Sequence, residues 1–401
     1  MTTHQDTSPN VSSLLTPYLR ARLGRGELDP RTMELMSYKG STPALGHPIP
    51  PYLPGERRRR PLARTVVIPV EQVTESPRRV WRVLFHLKKA CAQLGPTEVV
   101  IWFNSSFQHA LSQAGPEFDY WLTQLKASSL FSPDFRIRAV HRFRIAGDNF
   151  NQIRSCYMDA VAVDCLGRYL SPDYVVWWLD ADSPFITAKA IHQAEAALAL
   201  GLGHLAHASL KWCGWHGTNL ERMSPAEKIA YLYGHARWML ESNLPPTAPR
   251  GFYLEESGTV MTLRAYLLSG GVSTLDPLRG ESRTLLANAA KAQAEGELNP
   301  GVPLMYHVAG TIGYDNRRIV EIARSHEAWR IPGSEEGPEY AEYLAGQANG
   351  SAPNAPRRAD LYEVHEMVRR TDALHQLRTG IGLTSQRAAS IRRWIKRHLS
   401  I

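Results

Sequence analysis

The sequence predicts an α/β protein: a mostly parallel sheet flanked by helices, with a helical extension at the C-terminus. Three observations carry this prediction. Between residues 65 and 210, strand-length apolar runs alternate with segments of helical periodicity, the order produced by βαβ units. One of these runs, 174–179 (Tyr-Val-Val-Trp-Trp-Leu), has no polar alternation, as in a strand buried on both faces. The composition, 43% hydrophobic and 21% charged over 401 residues, is that of an ordinary globular chain long enough to bury a core.

Each element has a local reason. Residues 65–70 are a β-branched run and read as the first strand. Over 77–94, Val80, Val83, Leu84, Leu87, Cys91 and Leu94 recur at spacings of three and four, which predicts a helix with one apolar face. Strands are expected at 98–103 and 135–142, with a short helix at 118–125 between them. A long helix over 151–170 leads into the 174–179 strand; a helix at 187–200 and a strand at 204–210 follow. In the second half, Ser224-Pro225-Ala226-Glu227 is a capping box with Pro at the first helical position. Residues 259–268 read as a helix stopped by Gly270-Gly271, and 359–377 as a last helix before the basic tail.

The resulting division is 1–60 as an N-terminal extension, 61–331 as the main domain, 332–357 as a Gly/Pro-rich loop or linker, and 358–401 as a helical basic segment. The extension carries a Pro-rich stretch, 43–54, that runs into Arg57–Arg60. The net charge of +8 is spread along the chain, with clusters only there and at 387–397. No nucleic-acid-binding pattern accompanies these clusters, so they read as solvated tails or anion-steering surface rather than a nucleic-acid footprint. Cys91, Cys156, Cys165 and Cys213 have no CxxC spacing, which argues against a zinc ribbon or disulfide framework and fits reduced thiols. No apolar run approaches the ~20 residues of a membrane span and no signal-type h-region is seen, so a cytoplasmic location is expected. In the tail, Ile391, Trp394, Ile395 and Leu399 share a helical face among basic residues. That face either docks on the protein itself or makes peripheral contact with an anionic membrane.

The chemistry concentrates where the 174–179 strand ends in Asp180-Ala181-Asp182, followed by Ser183-Pro184. Carboxylates at the carboxyl end of such a strand lie where open α/β sheets bind ligands. Held this close they repel, unless a hard divalent cation sits between them and supplies a seat for a diphosphate. The plain alternative is an Asx turn after a strand.

The opening strand Thr65-Val66-Val67-Ile68-Pro69-Val70-Glu71, followed about 110 residues later by Leu179-Asp180-Ala181-Asp182, resembles the nucleotide-sugar glycosyltransferases of GT-A fold. The first element looks like their opening strand and the second like their DxD motif. The intervening helix beginning Asn151-Gln152-Ile153-Arg154 stands where the family has an Ala-Arg-Asn helix, and its run into the second element is also similar to fungal Golgi mannosyltransferases. The resemblance covers roughly residues 64–315 and implies a GT-A-like, Rossmann-type sheet. It further implies a nucleoside-diphosphate sugar donor, UDP- or GDP-linked, and Mn2+ or Mg2+.

By the same resemblance, Asp182 contacts the metal directly and Asp180 binds ribose or metal-bound water. Pro69, Val70 and Glu71 line the nucleobase and ribose, although the usual residues after Val are missing. Asn104 stands where relatives carry a carboxylate, so it can hydrogen-bond a base but not supply a charge. Asp148 and Arg154, at the start of a helix whose N-terminus favours anions, suit a base or diphosphate contact; helix capping is the alternative for Asp148. Glu256, or else Glu255, matches the acidic residue that takes the acceptor's proton in inverting members. His307 resembles the histidine that completes the metal shell, and an imidazole leans the choice of ion towards Mn2+; otherwise it is a packed core residue. Trp212, Trp215 and His216 offer an acceptor wall or simple packing, while His204 and His207 read as structural.

The expected activity is transfer of a sugar to an acceptor hydroxyl or amine, with inversion. Three rivals stand beside it: a retaining mannosyltransferase-like enzyme, a sugar nucleotidyltransferase, and a non-catalytic nucleotide-binding protein of the same fold. The second needs a Gly-rich loop after the first strand, which Val70-Glu71-Gln72-Val73-Thr74 does not provide.

Overall fold

The structure is a computed structural model that describes residues 11–27, 61–71, 77–105, 120–121, 123–124, 127–143, 150–168, 170–213, 257–273 and 281–315. The chain divides into two compact units, residues 1–208 with 249–310 and residues 209–248 with 311–401. Of the second, only 209–213 and 311–315 are described.

Six helices and seven strands make up the principal described elements: α1 (Val11–Gly24), β1 (Arg64–Glu71), α2 (Pro77–Cys91), β2 (Thr97–Ser105), β3 (Phe135–Phe143), α3 (Phe150–Gly167), β4 (Val175–Trp178), α4 (Ala188–Ala199), β5 (Leu205–Cys213), β6 (Thr259–Thr262), α5 (Leu263–Leu268), α6 (Glu281–Ala294) and β7 (Met305–Asp315). The strands form one mixed sheet in the order β3-β2-β1-β4-β6-β5-β7. The expected α/β architecture is therefore present. β1 pairs in parallel with β2 and with β4, and β2 with β3, while β6 runs antiparallel to both β4 and β5.

Alternate residues of the central strands feed two cores, as the pleat requires. On one side Val67, Val100, Trp102, Val176 and Trp178 pack with Leu14, Leu15 and Tyr18 of α1, the length of α3, and apolar residues of α5 and α6. α3 is buried almost all round from Arg154 to Leu166, which explains why its apolar residues follow no single stripe. On the other side α2 buries Val80, Val83, Leu84, Leu87, Ala90 and Cys91, and α4 buries Ala190, Ile191, Ala194, Ala197 and Leu198. Val66, Leu87, Trp177, Leu179, Ile186 and Ile191 meet there. Cys91, Cys156 and Cys165 are buried free thiols. Burial pushes the Cys165 thiol up to about 12, as expected of an inert core cysteine.

Two features depart from local expectation. Residues 259–268 are not one helix: Thr259–Thr262 is strand β6, and the helix begins only at Leu263. Thr259, Val260 and Thr262 are β-branched, and the segment finds a strand partner on each side, Trp178↔Thr259 and His207↔Thr259. Thr262 then closes the strand and caps the helix, its Oγ1 accepting from the Ala265 amide at 3.1 Å. Second, the stretch read as an N-terminal extension contains α1, which is built into the core. Its fully buried Arg22 donates to Ser155 Oγ and Asp159 Oδ2 of α3, each at 2.7 Å, and to Glu27 Oε2 at 2.9 Å. Tyr266 of α5 donates to the other oxygen of Asp159 at 2.6 Å.

The amino-terminal ends of the strands are also tied by buried ion pairs. Glu98 of β2 is fully buried between Arg138 (3.2 Å) and Arg168 (2.8 Å). Arg64 of β1 meets Glu195 of α4 at 2.5 Å, and Glu195 also accepts from the Trp177 indole at 3.0 Å. This end of the sheet is fastened, leaving the carboxyl ends for a site.

Candidate functional site

β1 and β4 are neighbours at the point where the strand order turns. β2 and β3 follow β1 on one side, and β4 lies on the other. Open α/β sheets bind ligands in the crevice at the carboxyl ends of such a pair. The register matches Val67 with Trp178, and the Leu179 amide still donates to Val67 C=O at 3.1 Å. β4 then ends, while β1 continues through Pro69 and Val70 to Glu71. Asp180 and Asp182 follow immediately, so the carboxylate pair sits at the switch point.

The turn that bears them is closed by the Ser183 amide donating to Asp180 C=O at 3.1 Å. It is anchored by the turn that precedes β6: the Asp180 amide donates to Ser257 Oγ at 3.1 Å, and Ser257 Oγ lies 2.6 Å from Ser183 Oγ. Both serine side chains are fully buried. Asp180 and Asp182 are half-buried, the Asp180 side chain being 18% exposed. Arg154, in the first turns of α3, is buried and lays its guanidinium 4.7 Å over the Trp178 ring, with Nη2 3.4 Å from Asp180 Oδ1. A cation on an indole face beside a carboxylate leaves this corner with one positive group and two negative ones.

The remaining expected residues are placed as follows. Pro69 is partly exposed and Val70 fully buried at the end of β1. Glu71 and Asn104 are register partners at the last β1/β2 pairing. Asp148, Glu255 and Glu256 lie outside the described residues, as do Trp215, His216 and the basic tail; Trp212 lies in β5. His307 of β7 is buried, and its ring stands 5.6 Å from that of His207, edge to face. His207 pairs with Thr259, which pairs with Trp178, so His207 is two strand spacings, roughly 10 Å, from β4. β7 lies one strand further out. His204 Nε2 is 3.0 Å from Asn299 C=O.

The structure thus brings together Asp180, Asp182, Arg154, Ser183 and Ser257. Among the described residues no group of three or more His, Cys, Asp or Glu side chains gathers as a metal set. A pair of carboxylates on one tight turn still suits a hard divalent cation that takes its other ligands from water and substrate phosphates, as Mg2+ commonly does. Ser257 was not singled out in the sequence, because nothing local distinguishes a serine before a glycine from any other turn.

No family model matches the chain, and no curated protein matches it. Solved structures similar to it include S. aureus TarS 1–349, at 12% identity over 84% of this chain and 87% of that chain, TM-score 0.34. The same protein in complex with UDP matches at 12% identity over 84% and 91%, TM-score 0.35. GalNAc-T7 with UDP, GalNAc and Mn2+ matches at 12% identity over 84% of this chain but only 56% of that chain, TM-score 0.36. No helix among the described residues is long and apolar enough to cross a membrane.

Proposed function

We propose that this chain is a divalent-metal-dependent glycosyltransferase with a GT-A-like sheet, moving a sugar from a UDP- or GDP-linked donor to an acceptor hydroxyl or amine. One observation supports the reading above all others: Asp180 and Asp182 follow β4 directly, beside β1, at the switch point of the sheet. A nucleoside diphosphate needs a cationic seat, and this corner supplies one through Arg154 and through a cation held by the two carboxylates.

When bound, Mn2+ or Mg2+ neutralises the leaving diphosphate and acts as a Lewis acid. The chain's own residues do the rest. Asp182 offers its carboxylate to the cation, and Asp180 is oriented by Arg154 at its side chain and Ser257 at its amide. Two carboxylates suffice when phosphate oxygens complete the shell, so the reading does not depend on His307. Pro69, Val70, Glu71 and Asn104 end the strands beside the corner and are assigned to the nucleoside, with Asp148 preceding α3. Glu256, with Glu255 as second choice, is assigned as base. It takes the acceptor's proton as the acceptor oxygen or nitrogen bonds to the anomeric carbon, whose bond to the diphosphate oxygen breaks, inverting the centre.

The test is hydrolysis and transfer across a panel of UDP- and GDP-sugars, with Mn2+ against EDTA. At least one donor is expected to turn over only with metal, and Asp182→Asn to lower kcat/KM by about 100-fold or more, the several kcal/mol a catalytic cation supplies. Metal-independent turnover, or none with any donor, would overturn the proposal. A product that retains the donor's anomeric configuration by NMR would remove Glu256 as base.

A further inference from the structure

Ser257 joins two parts of the molecule that the sequence keeps 77 residues apart. Its hydroxyl accepts from the Asp180 amide at 3.1 Å and shares a hydrogen bond with Ser183 Oγ, 2.6 Å away, in which either hydroxyl can donate. The next residue extends the join. Gly258, at φ +85°, donates its amide to Trp178 C=O at 2.8 Å and accepts from the Ala208 amide at 3.1 Å. The two residues before β6 therefore bind the end of β4 at three points, and two of these fall on the turn that bears the carboxylates. Chain direction gives the join its meaning. Because β6 runs antiparallel to β4, it starts at the rim where β4 finishes.

We propose that Ser257 is a positioning residue of the transferase site: its hydroxyl locks the Asp180–Asp182 turn to the segment that enters β6, holding the two carboxylates in a single register. The proposal rests on the assignment of Asp180 and Asp182 above. Its physical ground is that ligand oxygens must be held within about 0.5 Å to bind a cation productively. The backbone of this turn is bonded by the buried Ser257 hydroxyl. Ser183 contributes through Ser257, since its Oγ contact is with that residue.

The experiment uses the full chain and three variants, Ser257→Ala, Ser183→Ala and the double. Mn2+ binding in the presence of UDP is followed by the EPR signal of free Mn2+, well below each variant's unfolding midpoint, and kcat and KM are measured with whichever sugar nucleotide of the UDP- and GDP-sugar panel turns over. Ser257→Ala is expected to weaken Mn2+ binding about tenfold and to lower kcat more than it raises donor KM, since both bonds at the turn are lost. Ser183→Ala should weaken it about threefold, and the double variant should be no worse than Ser257→Ala, because the two hydroxyls act through one contact. A folded Ser257→Ala that binds Mn2+ like wild type overturns the proposal. If that variant does not fold, unchanged Mn2+ binding in Ser183→Ala does the same. A lowered unfolding midpoint with unchanged Mn2+ affinity marks Ser257 as structural only, which is also a refutation. Wild type that binds no Mn2+ with either UDP or GDP is a different failure: it removes the functional reading itself, and this inference with it.

Discussion

Replacing Arg22 with methionine tests whether α1 is part of the core beneath the sheet. The guanidinium is fully buried and donates to Tyr18 Oη (3.0 Å), Glu27 Oε2 (2.9 Å), Ser155 Oγ (2.7 Å) and Asp159 Oδ2 (2.7 Å). Burial alone would lower its pKa; the charge of Asp159, then Tyr18, Tyr266 and Glu27, holds it well above the ordinary value, so it is a permanent cation. Methionine fills much the same volume, so the cavity contribution is small. What remains is a broken buried ion pair, worth about 3–5 kcal/mol. The carboxylates left behind keep some partners: Glu27 retains Arg25 (3.0 Å) and Ser273 (2.7 Å), and Asp159 retains Ser155 (3.0 Å) and Tyr266 (2.6 Å). The expected loss is therefore in the lower part of that range, about 3–4 kcal/mol. With a guanidinium slope of about 5 kcal/mol/M, the circular-dichroism midpoint falls by roughly 0.6–0.8 M. Arg22→Lys keeps the charge without the planar fork and should lose about half as much. If Arg22→Met stays within about 1 kcal/mol of wild type, α1 does not anchor α3 as described and the reasoning fails.

Two further predictions follow from the same core. Burial pushes the Glu27 carboxyl up, but the hydrogen bond from Arg25, the charge of Arg22 and the Ser273 hydroxyl outweigh it and hold the group below its ordinary value. Its folded-state pKa lies below the unfolded one, so its stabilisation is present above the ordinary carboxylate range and lost as pH falls through the depressed value. Denaturation midpoints should therefore drop between about pH 5 and 3, and less steeply in Glu27→Gln; an equal slope in both would exclude Glu27 as a contributor. Gly310 is the second: a Cβ there would lie 2.2 Å from Ala190 Cα and 2.3 Å from its amide nitrogen, both backbone atoms of α4. Gly310→Ala should lower stability by about 3 kcal/mol or abolish soluble expression, whereas Gly24→Ala, with nothing within 4 Å, should be near neutral in the same thermal scan.

Which parts of this molecule the sequence reveals depends on how local the cause is. The 174–179 run announces a doubly buried strand because every residue in it is apolar, and Asp180 and Asp182 mark its end. Helix α2 is legible for the same reason, its buried face being written at spacings of three and four. β6 is not: Thr259–Thr262 is four residues long and runs into a helix, and only partners on both sides make it a strand. Arg22 sits in a stretch that reads as an extension because its partners Ser155 and Asp159 are 133 and 137 residues away. Ser257 is hidden likewise. The turning of strand order between β1 and β4, which makes the Asp180 corner a candidate site, is a property of the whole sheet and has no local signature. Asp148, Glu255 and Glu256 lie outside the described residues, and their roles remain with the proposal.

The bond from the Ala208 amide to Gly258 C=O has a consequence for how such a protein can diversify. β5 continues to Cys213 and β6 begins at Thr259, so residues 214–256 join two strands that pair with each other. In polymer terms the two ends of this connection are already fastened. Doubling its length then adds only about 0.6 kcal/mol of closure entropy. Selection can lengthen, shorten or rewrite this stretch while the β4–β6–β5 frame, and the carboxylate corner on it, stay unchanged.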